Sequence, residues 1–192
     1  EANWFEPKRA ESYDVIGQAR TQLGEFDKAL AEFEQALQLN PRLTAALLHR
    51  SQALLVLQDY AAASAAARQA QAIEPASIEP RLQLARVAVA AGQVEEALNY
   101  LREATELSPT RAEAWLLLAE LQLRQRRTAA ALETLEAGVA ANADHPALRD
   151  LLGRTLLQDK RYLEAEPHLR AAAGLLPDNP EVHNTLGVLL MH

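Results

Sequence analysis

Apolar residues along this chain recur at helical spacing, and the spacing itself repeats. In residues 112–125, AEAWLLLAELQLRQ, Trp115, Leu118, Ala119 and Leu123 fall at intervals that put them on one helix face. In residues 94–107, VEEALNYLREATEL, the residues Val94, Ala97, Leu98, Leu101 and Ala104 do the same. Short polar turns, such as Gly24-Glu25, Gln58-Asp59 and Gly92-Gln93, separate a first apolar-faced stretch from a second. Pro41, Pro75 and Pro109 close the second stretch. The residue before a proline avoids the α region, and proline donates no N–H to the preceding turn.

Displaced by 34 residues, the sequence overlays its own small residues. One series is Ala29, Ala63, Ala97, Ala131 and Ala165; a second is Ala36, Ala70, Ala104, Gly138 and Ala172. A third runs Gly17, Ser51, Ala85, Ala119, Gly153 and Gly187. Small side chains at fixed places are what closely crossing helices require, because overpacking typically costs about 1–3 kcal/mol. The pattern predicts helix pairs at 10–23/26–39, 44–57/60–73, 78–91/94–107, 112–125/128–141 and 146–159/162–175, then a lone helix near 180–191. Pro80 falls in a first turn, where its missing N–H costs nothing. Pro167 lies deeper and is expected to delay or kink its helix.

The stretch AGVAANADHPAL at 137–148 keeps the count: Ala143 stands in the proline slot, and Pro146 opens the next period. No domain boundary is expected there. The expected organisation is one domain over 1–192, with repeats at 10–43, 44–77, 78–111, 112–145 and 146–179 and a partial repeat at 180–192. Residues 1–9 read as the tail of a preceding repeat, since Trp4-Phe5-Glu6-Pro7 echoes Leu39-Asn40-Pro41. Neither end is a polar cap, so the natural protein is expected to continue in both directions. With Gly138 and Ala141 ahead of Ala143, this helix end is expected to be the softest of the set.

Composition agrees with helices: Ala and Leu dominate a chain that is 49% hydrophobic but only 5% aromatic. The net charge of −7 argues against a general grip on nucleic acid, which needs a surplus of Lys and Arg. No apolar run is long enough to span a membrane. The absence of Cys excludes disulfides and thiolate metal sites but leaves the compartment open between cytoplasm and a bacterial periplasm.

Catalytic chemistry is not visible. There is no nucleophile elbow, Walker loop or glycine-rich dinucleotide turn. His49, His145, His168, His183 and His192 never fall three or four apart, so no helix offers a two-histidine metal face. No cofactor or metal is expected. Glu95-Glu96 and Glu164/Glu166 sit early in second helices, where the helix dipole favours them.

The period and the residue classes resemble the tetratricopeptide repeat, a 34-residue helix–turn–helix unit with the signature W-x2-L-G-x2-Y, A-x3-F, P. The first repeat shows Tyr13, Ile16-Gly17, Ala29, Phe33 and Pro41; the fourth shows Trp115, Leu118-Ala119, Ala131 and Leu135. Arg50 in an apolar slot and Ala67 in the Phe slot depart from it and suggest looser packing in the second repeat. The resemblance implies an all-α fold, a right-handed α–α superhelix or solenoid of stacked units. It also implies a non-enzymatic scaffold that binds a protein or peptide along the concave face of its first helices.

In that family geometry the groove takes the second, fifth, ninth, twelfth and thirteenth positions of each repeat. The fifth reads Asp14, Leu48, Leu82, Leu116, Asp150 and Asn184. The ninth reads Gln18, Gln52, Arg86, Glu120, Arg154 and Val188, and Arg124 adds a thirteenth-position charge. A leucine stripe flanked by polar residues is what an amphipathic partner segment needs; the alternative is that the leucines only pack against neighbours. The slots of the family's chaperone-type carboxylate clamp hold Asp14, Gln18, His49, Glu79 and Gln83, which cannot grip a C-terminal carboxylate strongly. Arg126, Arg127, Lys160 and Arg161 occupy successive intra-repeat turns, as cations favoured at helix C-termini or as a basic edge that steers an acidic partner. Two rival functions stand beside groove binding: self-association through the uncapped ends, and recruitment of substrate to an enzymatic domain outside this sequence. The Ala-, Leu- and Arg-rich style looks bacterial, and the family resemblance implies a place in a larger assembly such as an envelope, secretion or pilus system.

Overall fold

The computed structural model describes residues 6–191, all of whose regular structure is helical. The helices are α1 (Glu6–Gln22), α2 (Phe26–Leu39), α3 (Thr44–Val56), α4 (Tyr60–Ile73), α5 (Glu79–Ala90) and α6 (Val94–Leu107). They continue as α7 (Ala112–Arg124), α8 (Thr128–Ala141), α9 (Pro146–Gln158), α10 (Tyr162–Leu175) and α11 (Pro180–Leu189). Trp4 and Phe5, assigned above to the tail of an earlier repeat, lie outside the described residues. The predicted pairs are recovered to within a residue or two, except that α1 starts at Glu6 rather than residue 10. Pro7 therefore sits in the first turn of a helix, where proline is tolerated. Pro167 does not delay α10, which begins on schedule and runs through it to Leu175.

The chain forms two compact units, divided inside α6 between Glu103 and Ala104. Within the first, consecutive helices pack from α1 to α5, and α1 meets α3 as α3 meets α5. Within the second, α7 to α11 repeat the arrangement, with α7 against α9 and α9 against α11. First helices thus line up beside first helices, the stacking of an all-α solenoid of helix pairs. The stretch 137–148 runs without interruption inside the second unit.

The small series are buried where helices cross. Ala29, Ala63, Ala97, Ala131 and Ala165 are all fully buried. A Cβ on Gly17 would lie 2.4 Å from the Phe33 ring, and one on Gly153 would lie 2.6 Å from Leu169. Facing slots trade volume: Gly17 meets Phe33, and Gly153 meets Leu169. The second repeat, with Ser51 and Ala67 in these two slots, is not loose. Ser51 is fully buried, donates to the Ala63 carbonyl at 2.8 Å and accepts from Gln83 Nε2 at 3.1 Å. A polar link occupies the place where other repeats put carbon.

The first helix of each complete pair is followed by a left-handed residue: Gly24, Gln58, Gly92, Arg126 and Lys160, with φ of 75°, 62°, 74°, 57° and 63°. Only glycine adopts that conformation without a Cβ penalty, so the other three turns are strained. We expect Gln58→Gly, Arg126→Gly and Lys160→Gly each to raise stability by about 0.5–1 kcal/mol. Thermal melts of the three single variants check this, and a lowered midpoint in all of them would count against it.

A second device joins successive repeats. Arg81 donates to the Pro75 carbonyl at 2.8 Å, and Trp115 Nε1 donates to that of Pro109 at 2.8 Å. Arg149 Nε donates to that of Ala143 at 2.6 Å, and His183 Nε2 lies 2.8 Å from that of Pro177. These four side chains share one repeat position and reach back six residues over the inter-repeat turn. The helix end expected to be softest is consequently tied. Asn142 Nδ2 donates to both the Gly138 and Pro109 carbonyls, and a Cβ on Gly138 would sit 3.0 Å from Trp115. Gly138 is there to admit the indole.

Candidate functional site

The face on which the sequence places a groove is built by α1, α3 and α5 in the first unit and by α7, α9 and α11 in the second. Its fifth positions are not a uniform stripe. Leu82 is fully buried and serves as core, while Leu48 and Leu116 are half-buried and keep an accessible side. For Leu82 the packing alternative prevails, because α5 packs against both α3 and α4. The ninth positions Gln52, Arg86, Glu120 and Arg154 are exposed, as is Arg124, and Gln18 is half-buried. Arg86 is engaged by other groups.

The two aspartates at the fifth position differ in their surroundings. Asp14 is 5% exposed and fully partnered: Gln18 Nε2 donates to Oδ2 at 3.0 Å, and His49 Nδ1 lies 2.8 Å from Oδ1. The His49 ring in turn tilts over Phe33, with centroids 6.1 Å apart. Beside this group, Gln18, Thr21, Gln22, Phe33, His49 and Gln52 line a cavity of about 170 Å³. Sequence reasoning placed Gln18 and Gln52 on this face, and assigned His49 only to a failed clamp. The couple between Asp14 and His49 escaped it, since the two are one repeat plus one residue apart and meet only when α3 stacks on α1.

Asp150 pairs with Arg154 through Oδ2 at 2.9 Å, but its buried Oδ1 accepts no hydrogen bond. Burial raises its pKa above the ordinary 3.8, Glu181 adds to the rise, and Arg154 opposes it. A carboxyl whose folded pKa is raised favours the folded state while protonated, and that advantage is lost as pH rises through the folded value. Asp150→Asn should therefore be more stable than the wild type at neutral pH. The gap should close on acidification toward pH 3.8, in a pair of urea titrations at the two pH values. An equal gap at both would remove Asp150 as the source.

The basic edge is largely neutralised. Arg161 holds Glu164 in two hydrogen bonds of 2.8 and 2.7 Å and reaches Glu136 at 4.0 Å. That contact raises the Arg161 pKa and lowers that of Glu164. Arg127 is likewise engaged, whereas Arg126 and Lys160 stand exposed on their left-handed turns. Both follow first helices, where a cation suits the helix C-terminus, and the steering reading rests on these two exposed cations. Among the described residues no group of three His, Asp or Glu side chains is placed to hold a metal ion, and no helix is long and apolar enough to cross a membrane.

Two family models, both described as tetratricopeptide repeat, match residues 10–43 and 88–155, together more than half of the chain. No curated protein matches it by sequence. Solved structures do. One is TTC0263, a thermophilic tetratricopeptide protein of Thermus thermophilus: 23% identity, TM-score 0.63, covering 95% of this chain and 100% of that one. YrrB, described as a tetratricopeptide protein with an unusual peptide-binding site, is 22% identical with a TM-score of 0.62, over 90% of this chain and 89% of that one. PilF of Pseudomonas aeruginosa is 18% identical with a TM-score of 0.71, over 96% and 90%. At these identities the likeness is one of fold.

Proposed function

Since the chain belongs to the tetratricopeptide repeat family, we propose that it is a non-enzymatic scaffold whose first-helix face binds an extended or amphipathic segment of a partner protein. The observation that carries this reading is the mixed face of α1 and α3. A half-buried Leu48 stands beside the exposed Gln52 and a polar cavity, a combination of apolar anchor and orienting groups typical of ligand sites. YrrB, of similar fold, is described as having a peptide-binding site, which supports the assignment. In the second unit Leu116, Glu120, Arg124, Asp150 and Arg154 would form the corresponding face. We place the scaffold in a bacterial multi-protein assembly, in keeping with neighbours from Thermus and Pseudomonas.

Leu48→Glu and Leu116→Glu test the reading, because both leucines keep an accessible side; Leu116 also packs against the core of the second unit, so Leu48→Glu is the milder change. Leu82→Glu could not serve, as it would bury a charge. Either variant should keep its helical circular dichroism and bind captured partner at least about tenfold more weakly, equivalent to losing one anchor side chain. Unchanged capture by both folded variants refutes groove binding.

One observation favours self-association as a second reading. Ile16 is 43% exposed, whereas Leu84, Leu118 and Leu152 at the same repeat position are 1–3% exposed. A second copy covering α1 would make light-scattering mass rise with concentration; a constant monomer mass removes that reading.

A further inference from the structure

We propose that the cavity beside Asp14 and His49 is a subsite for one cationic side chain, arginine or lysine, of the bound peptide. This rests on the groove reading above and names what the first unit's part of that groove selects.

The hydrogen-bond inventory of the cavity is one-sided. Asp14 is buried, and an ionised carboxylate only accepts. Gln18 supplies an N–H to Oδ2, and against an ionised Asp14 the hydrogen shared by His49 Nδ1 and Oδ1 is carried by the ring. With the ring neutral, the other nitrogen, Nε2, is left as an acceptor. Fixing Gln18 through its NH2 group likewise leaves its Oε1 available. Thr21 donates its hydroxyl hydrogen to the Gly17 carbonyl at 2.9 Å, so toward a ligand it can only accept. Gln22 and Gln52 complete the wall with amides that can turn either way. Gln18 and Thr21 thus offer acceptors by constraint, His49 with its ring neutral, and the other two residues by rotation.

Charge points the same way. No Lys, Arg or carboxylate lines the cavity itself, and the buried Asp14, bonded to the lining residues Gln18 and His49, stands behind its wall as an acceptor. An anionic group would meet acceptor oxygens at Gln18 and Thr21 with the Asp14 carboxylate behind them. A guanidinium or ammonium would instead donate to those oxygens. The fully buried Phe33 closes the floor beneath His49, at the depth Gly17 permits. The volume of about 170 Å³ is on the scale of a single long side chain. The chain's net charge of −7 adds long-range attraction for a basic segment.

Selection of a random-peptide display library against the folded protein tests this, run in parallel on Gln52→Lys and Gln52→Glu. Gln52 is exposed, so neither change threatens folding. Wild-type winners should carry Arg or Lys at one fixed position. Gln52→Lys should lose that preference and bind the winning peptide roughly tenfold more weakly, the fold-change expected for a charged hydrogen bond replaced by repulsion. Gln52→Glu should sharpen it. Winners that are acidic or amide-rich at that position, or a basic preference surviving in Gln52→Lys, overturn the subsite while leaving groove binding intact. Failure of all three proteins to select any peptide overturns groove binding, and the subsite with it.

Discussion

Gly17→Val and Gly153→Val are each expected to lower stability by about 2–3 kcal/mol, whereas Gly187→Ala, at the same repeat position, should raise it by about 0.5–1 kcal/mol. The difference lies entirely in what faces the slot. A Cβ on Gly17 would stand 2.4–2.9 Å from three atoms of the fully buried Phe33 ring, so the ring or its helix must shift. One on Gly153 would meet Leu169 Cγ and Cδ2 at 2.6 Å with the Leu169 backbone nitrogen behind at 3.3 Å. At Gly187 nothing lies within 4 Å, so alanine brings only its helix propensity. Relief of the clash should follow from shrinking the partner: Phe33→Leu should recover much of the loss in Gly17→Ala. The chain already uses such pairs, with Ala85 and Ala119 standing where the facing slots hold Leu101 and Leu135. Calorimetric melts of the five variants decide it. Equal effects at Gly17 and Gly187 would mean that propensity, not packing, sets the choice of glycine.

Ser51→Ala should cost about 1–3 kcal/mol despite removing a single oxygen. The oxygen is the middle of a buried chain running from Gln83 Nε2 through Ser51 to the Ala63 carbonyl. Gln83 is 2% exposed, and its Oε1 has no partner already. Without Ser51 the amide nitrogen would also be stranded, and an unsatisfied buried donor carries its full desolvation cost. Replacing the glutamine as well, in Ser51→Ala/Gln83→Leu, should restore most of the stability, since neither half of the link then needs the other. A double-mutant cycle in denaturant measures the coupling; purely additive losses would show that the hydrogen bond contributes nothing.

The sequence by itself determined the period, the helix pairs and the places where side chains must be small. Those follow from local physics: helical spacing of Ala and Leu, prolines that end a helix, and crossings that exclude bulk. It determined the family for the same reason, because the signature of the repeat is a pattern of residue sizes. It also put Gln18, Gln52, Leu48 and Leu116 on an accessible face. What it could not settle was anything decided by the next helix over. Leu48, Leu82 and Leu116 share one position, yet only stacking makes Leu82 core and leaves the other two partly open.

Burial depends on the neighbours a helix receives, and those come from residues a whole repeat away. The couple of Asp14 with His49, the link from Gln83 to Ser51, and the Asn142 tie across to Pro109 join residues 35, 32 and 33 apart. No local window contains both ends. Gly138 looked like softness because glycine lowers helix propensity; the structure shows it as room for Trp115. Arg126 and Lys160 were readable as cations at helix C-termini or as a basic edge, but not as residues in the left-handed conformation, which only the folded turn displays. Propensity and charge belong to single residues and can be read from the chain, whereas the space around a residue exists only once the helices have stacked.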